Sequence, residues 1–524
     1  MGPKDKTGDL LIGFDLGTSA MKALLSDSEG RIVGQASRQV DTLRLEATIV
    51  ELDAEAYFQD ICSVIGELVS KTDDPKQVVA ISFSGASGNT VLLDKDYSPL
   101  EKVISWLDTR TAGAETELWP ELAPESIYHS AGWPFGGTFP LAHLAWYKRF
   151  KPDVWKKARH FTMLNDYIYH RLCGRLAVDY SKATTFYLQN QEERKWNKDL
   201  LYFLGIEEYG LSELLPPGSV CGTVTPEAAQ ATGLQTDTLV VTGSFDHPSA
   251  ARSTGVFEEG ELLISAGTSW VVFAPIRKRE TGLNGRMLVD PFLSPSGCWG
   301  SMSALTAVAE KMNEYLENCI GSNGGESLPE RYDRLAAEAE PGANGFYLEL
   351  FKQPYEQMKE QVEEVAPRNI ARALMEGIVF LTRNRIDKLS RMTGKPAGRI
   401  VLTGGATKSP VWPSIIADVL NRPVAIPETG QHAGAMGAVV FAGMGAGVYR
   451  DERDGYEKIK PKEIVIEPDP VRSKLYQRIY KDYSDRFDLS DGTDGDRYGR
   501  NESAESVAET PVLRDQCEEL YIRG

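Results

Sequence analysis

Leu10-Leu11-Ile12-Gly13-Phe14-Asp15-Leu16-Gly17-Thr18-Ser19 is an apolar run that breaks at a glycine turn. It resumes at Ala23-Leu24-Leu25 and is followed by an Asp27-Ser28-Glu29-Gly30 turn and Ile32-Val33. Apolar runs punctuated by Gly and Asp/Ser clusters predict strand, tight turn, strand, turn, strand. The same grammar returns 250 positions later in Glu261-Leu262-Leu263-Ile264-Ser265-Ala266-Gly267-Thr268-Ser269, followed by Trp270-Val271-Val272-Phe273. A Gly-Thr-Ser turn lets amide N–H groups and two hydroxyls approach phosphate oxygens with no Cβ in the way. Either copy alone reads equally as an ordinary hairpin, but the duplicate points to two tips facing one polyphosphate. Gly17, Thr18, Ser19, Gly267, Thr268 and Ser269 are therefore candidate nucleotide-binding residues. Asp15 beside phosphate makes most sense holding a hydrated Mg²⁺, and Lys22 supplies compensating positive charge.

Outward from these hairpins, strands and helices alternate. Val78-Val79-Ala80-Ile81-Ser82-Phe83 leads into a Gly/Ser loop, and residues 140–175 are helical and aromatic, with Leu144, Trp146, Tyr147, Tyr167, Ile168 and Leu172 spaced for a buried stripe. Ile370, Leu374, Ile378 and Leu381 mark one face of a long helix that Gly394-Lys395-Pro396 should stop. A buried strand, Arg399 to Thr403, then runs into Gly404-Gly405, a strand, glycine and helix order that lets a flat ring or phosphate sit against backbone. The pattern is α/β. At 524 residues, 42% hydrophobic, the chain can bury large cores and predicts two domains, residues 1–249 and 250–487, before an Asp/Gly/Ser/Glu-rich tail, 488–524, expected to be mobile.

A net charge of −18, with no basic run, argues against nucleic-acid or anionic-membrane partners. No apolar stretch approaches the roughly 18 residues a bilayer span needs, and Met1 to Lys6 is polar with no signal-peptide core behind it, so a cytoplasmic protein is expected. The six cysteines are far apart, without C-x-x-C pairs or zinc-type histidine spacing, and read as reduced thiols. Gly404 to Ser409 ends like a P-loop but lacks the glycine before Lys408. Gly443 to Gly447 fails G-x-G-x-x-G, and Asp494 to Gly499 lacks calcium-loop spacing.

Asp15-Leu16-Gly17-Thr18-Ser19, Ser105-Trp106-Leu107-Asp108-Thr109-Arg110-Thr111, Gly243-Ser244-Phe245-Asp246, Gly267-Thr268-Ser269 and Thr403-Gly404-Gly405-Ala406, in that order, resemble the FGGY family of carbohydrate kinases. The resemblance spans about Leu10 to Gly447. It implies two actin-like (ribonuclease H-like) domains with a mixed five-stranded sheet in each, and ATP and sugar in the cleft between them. It also implies Asp246 as the catalytic base toward the sugar hydroxyl, Asp15 with Asp246 at a hydrated Mg²⁺, and Lys22 near the transferred phosphoryl group. Gly404, Gly405, Ala406 and Ser409 fall where the family holds the base and ribose. Trp106 falls where the family lines its sugar pocket, His247 lies beside the catalytic base, and family precedent suggests a homodimer. Asp108 and Arg110 read as a local ion pair that shapes their loop.

The chain also departs from the pattern. Xylulose kinases carry Gln-Met-His where this sequence has Ala86-Ser87-Gly88, and glycerol kinases carry Arg-Glu at Ser87-Gly88. Ala406 replaces a third glycine, and Pro413-Ser414 stands where many members have Arg-Gln. The small loop predicts a roomier sugar pocket in which Ser87 and Asn89 meet substrate hydroxyls, and it offers glycerol no charged pair. The expected activity is ATP-dependent phosphorylation of a ketose, a pentulose such as xylulose or ribulose, with deoxy-hexuloses, sugar acids and seven-carbon ketoses open. The alternatives are a non-catalytic sugar or nucleotide sensor and an actin- or chaperone-like ATPase.

Overall fold

The computed structural model describes residues 8–46, 48–112, 123–321 and 325–489. The first sheet is built from β1 (Leu10–Leu16), β2 (Ala20–Asp27), β3 (Ile32–Gln39), β4 (Val78–Gly85), β5 (Val220–Thr223) and β6 (Leu239–Val241), in the order β5-β6-β4-β1-β2-β3. β1, β4 and β6 run parallel, and the other pairings are antiparallel. The second sheet comprises β7 (Leu262–Ala266), β8 (Trp270–Ile276), β9 (Leu288–Asp290), β10 (Trp299–Leu305), β11 (Ile400–Thr403), β12 (Val424–Pro427) and β13 (Glu463–Ile466), in the order β9-β10-β8-β7-β11-β12-β13. The two hairpins, β1–β2 and β7–β8, occupy equivalent central places, and each begins a parallel run toward the opposite side of its sheet.

The sheets have six and seven strands rather than five. The additions, β5, β9 and β13, are antiparallel strands of three or four residues paired onto sheet edges. Segments so short carry too few alternations to register as strands in the sequence.

Two helices organise the junction, and a third lies within the second half. α1 (Asp246–Ser253) follows β6 and runs through the expected boundary at residue 249. α2 (Pro367–Thr393) is buried along most of its length and ends at Gly394 in the left-handed conformation, as Gly-Lys-Pro requires. α3 (Ala433–Gly445) belongs by sequence to the second half, yet it packs on α1 and against β1 and β4 of the first sheet. Small residues permit this: a Cβ on Gly13 would strike the Ala435 carbonyl, and one on Gly437 would strike that of Ser249. A continuous apolar cluster runs from Leu141, Phe186 and Phe257 to Leu263, Phe273 and Val401, so the halves share core as well as connections.

Residues 140–175 form three helices, Pro140–Phe150, Pro152–Lys157 and Leu164–Cys173, with a strand at His160–Thr162, because Pro152 cannot continue the first. The last described helix, Pro470–Phe487, is followed by Leu489, only 2% exposed in the second core. The expected tail otherwise lies outside the described residues, as do Asp494 to Gly499 and Cys517. The other five cysteines are free thiols. No helix among the described residues is long and apolar enough to cross a membrane.

Candidate active site

The candidate residues converge on loops at the carboxyl ends of parallel strands, where open α/β sheets bind ligands. In the first sheet β1 delivers Gly17–Ser19, β4 delivers Ala86–Thr90, and β6 leads through Gly243 to Asp246. The Ala86 N–H donates to Leu16 O at 3.0 Å, and Gly85 bridges Phe245, so these three loops are neighbours. Asp15 sits on β1 opposite Lys22 of β2 and Ser84 of β4. Burial first, then the Asp246 carboxylate, pushes Asp15 up to about 7, and Lys22 opposes the rise. Asp246 is the first residue of α1. Its Oδ1 accepts the His247 N–H at 2.7 Å and lies 3.6 Å from His247 Nε2.

A carboxyl whose ionisation is opposed by burial and by a second carboxylate suits a bound cation, and Mg²⁺ prefers one or two carboxylates plus water and phosphate. Asp15 and Asp246 fit that requirement. Gly434 at the start of α3 keeps the space open, since a Cβ there would lie 2.6 Å from the Asp15 carboxylate. Among the described residues no group of three or more His, Cys, Asp or Glu forms a denser metal cage.

At the end of β1 a pocket is lined by Leu16, Gly17, Thr18, Asn89, Ser105, Trp106 and Asn165, among others. Asn89 Oδ1 accepts the Trp106 backbone N–H at 3.1 Å, which holds that stretch of main chain at the pocket. Arg110 Nε and Nη2 each donate to Asp108 at 2.8 Å, and Arg110 also reaches Glu51 at 2.7 Å and stacks on Trp146. Asp108 in turn accepts the Val50 N–H at 2.7 Å. This pair is the loop-shaping ion pair that the sequence suggested. Asp246 and His247 do not line the pocket.

Ser87 behaves differently from the sequence expectation. It is 3% exposed, and its hydroxyl lies 2.8 Å from that of Thr185 instead of facing the pocket. Gly88 has φ +97°, and a Cβ there would meet Phe139 at 2.8 Å. Space released by the small Ser87-Gly88 pair is thus filled by Thr185 and Phe139, and of the three loop residues only Ala86 lines the pocket. Asn165 was missed because it lies on an aromatic, apolar helix that reads as core. Its position one residue into the helix, ahead of Asp166, was the available signal.

In the second sheet Gly267 and Thr268 form an exposed tip, with the Gly267 N–H donating to Ser269 O at 3.1 Å. The tip is braced from behind: Ser269 Oγ accepts the Ala307 N–H and Thr268 O accepts the Ala309 N–H. Gly404, φ +88°, follows β11, and a Cβ there would lie 2.6 Å from Ala266 O, so the Gly404-Gly405-Ala406 turn is pressed beside this tip. Ser409 has another occupation. Its hydroxyl donates to Asp333 at 2.7 Å and accepts the Val411 and Trp412 N–H groups, capping the next helix instead of facing a ribose. Burial and the Lys22 and Lys408 cations push His432 below its ordinary range, so cations from both halves approach one point.

Models of the FGGY family of carbohydrate kinases match residues 10–252 with the N-terminal domain and residues 262–446 with the C-terminal domain. A xylulose kinase of Bacillus subtilis is 26% identical over 91% of this chain and 96% of its own. A gluconokinase of Bacillus licheniformis is 24% identical over 82% and 86%. The crystal structure of xylulose kinase from Rhodospirillum rubrum superposes with a TM-score of 0.79 at 25% identity, covering 91% of this chain and 98% of that one. With two family models covering most of its length, and with the paired Gly-Thr-Ser hairpins in place, the chain belongs to the FGGY family of carbohydrate kinases, enzymes that use ATP with Mg²⁺.

Proposed function

We propose that this kinase transfers the γ-phosphoryl group of ATP to a hydroxyl of a neutral ketose, a pentulose such as xylulose or ribulose. The observation that carries the substrate class is the pocket lining, which among the described residues contains no charged side chain. A sugar acid brings a carboxylate that would require a cation, whereas hydroxyls are served by the amides of Asn89 and Asn165 and by Thr18 and Ser105, with the Trp106 face for C–H groups. The similarity to xylulose kinases points the same way. Asp246 orients the acceptor hydroxyl and takes its proton late, as a loose phosphoryl-transfer transition state permits. Asp15 and Asp246 are the residues that would hold Mg²⁺, whose charge would offset that of the transferred group. The Gly-Thr-Ser tips at Gly17 and Gly267 supply backbone donors to the phosphates, and Lys22 adds positive charge.

A coupled ADP-release screen across ketoses, polyols and sugar acids tests this. The proposal expects turnover with at least one five- to seven-carbon ketose and negligible turnover with glycerol. Turnover confined to gluconate-like acids, glycerol as the best substrate, or ADP release independent of any sugar would overturn it.

A further inference from the structure

The loop that presents Asp246 has two of its backbone donors taken by side chains. The Gly243 N–H donates to Tyr169 Oη at 3.1 Å, and the Phe245 N–H donates to Ser181 Oγ at 3.0 Å. Tyr169 and Ser181 belong to the first half of the chain. Ser181, however, passes its own proton onward across the junction, donating to Asp290 Oδ2 at 2.6 Å. Asp290 ends β9 in the second sheet, and its Oδ1 accepts the Phe292 N–H at 2.8 Å. Ser181 and Asp290 are each 1% exposed. The same turn of chain holds α1 a second time: Arg252, on α1, donates to Phe292 O at 2.7 Å and to Pro248 O at 2.9 Å. The helix that begins with Asp246 is thus tied just before its start and near its end to residues 290–292 of the opposite half.

We infer that Ser181 and Asp290 are positioning residues, a relay by which the second sheet fixes the Phe245 amide and so aims the Asp246 carboxylate at the acceptor hydroxyl. The inference rests on the reading of Asp246 as the base. A buried N–H with one acceptor, itself anchored by a buried carboxylate, has few alternative positions. Loss of the anchor releases the base by a fraction of an ångström without touching the nucleotide tips.

The test uses the full chain with Ser181→Ala, Asp290→Asn, the double variant and Asp246→Asn, reading kcat, KM for the sugar, ADP affinity and melting temperature. In Ser181→Ala kcat should fall about 10-fold or more, as small misplacements of a reacting group do, while ADP affinity stays within about 2-fold. The double variant should be no worse than the more damaged single one, as expected of residues acting as a unit. Should Ser181→Ala not fold, Asp290→Asn keeps the shape of the site and carries the same test through the same split between kcat and ADP affinity. Wild-type kcat in folded variants, multiplicative losses in the double variant, or parallel losses in kcat and ADP affinity would overturn the relay. If Asp246→Asn retains turnover, the base assignment fails and the relay with it. If Asp246→Asn is inactive while both relay variants keep wild-type kcat, only the relay fails.

Discussion

Replacing Asp15 with Asn should make the protein more stable at neutral and alkaline pH while removing its activity. Burial and Asp246 hold the Asp15 carboxyl at about 7 in the fold against 3.8 as a free group. Because the folded value is the higher one, the folded state holds a proton that the unfolded chain has released between these two values. The contribution of Asp15 to stability is therefore complete below about pH 4 and is lost as pH rises through 7. A rise from 3.8 to about 7 sets a ceiling of about 4 kcal/mol on that loss, at about 1.4 kcal/mol per pH unit. Asn has no charge to desolvate, so the Asp15→Asn chain should exceed wild type by about 1 to 4 kcal/mol at pH 8, and the gap should close toward pH 4. Urea unfolding of both chains, without nucleotide or Mg²⁺, at several values from pH 4.5 to 8.5 measures this directly. A gap that is absent at pH 8, or constant across the series, would refute the assignment of Asp15 as a carboxylate kept under electrostatic strain for a cation.

Two further substitutions separate the sugar pocket from its support. Trp106→Ala removes the aromatic wall of the pocket while keeping the backbone bond to Asn89, and it should raise KM for the sugar about 10-fold or more while ADP affinity, followed by calorimetry, stays level. Arg110→Ala leaves Asp108 buried without its cation, and a destabilisation of about 3 to 5 kcal/mol is expected in urea unfolding.

Much of the architecture was legible because its signals are local. The two Gly-Thr-Ser hairpins and the helix stopped at Gly394 each carry their reason within a few residues, and each lies where the sequence placed it. What escaped depends on distant partners. Strands such as Leu288–Asp290 exist because a longer neighbour offers its edge. Ser87 was assigned to the sugar by loop position, but Thr185, far along the chain, claims its hydroxyl, and Phe139 fills the space above Gly88. Ser409 follows a glycine turn suggestive of nucleotide binding, yet the helix after it and Asp333 compete for the same oxygen. The core shared between the halves is likewise a product of non-local packing that periodicity cannot register.

The central claim is that Asp246, presented at the start of α1 beside Asp15, is the base of a sugar kinase. Turnover of Asp246→Asn on the best sugar from the substrate screen, measured with ADP affinity on the same preparation, tests it most directly. kcat should fall about 100-fold or more with ADP affinity nearly unchanged, because the amide cannot accept the hydroxyl proton while the Gly-Thr-Ser tips remain intact. Near-wild-type kcat in a folded, nucleotide-binding Asp246→Asn chain would contradict it.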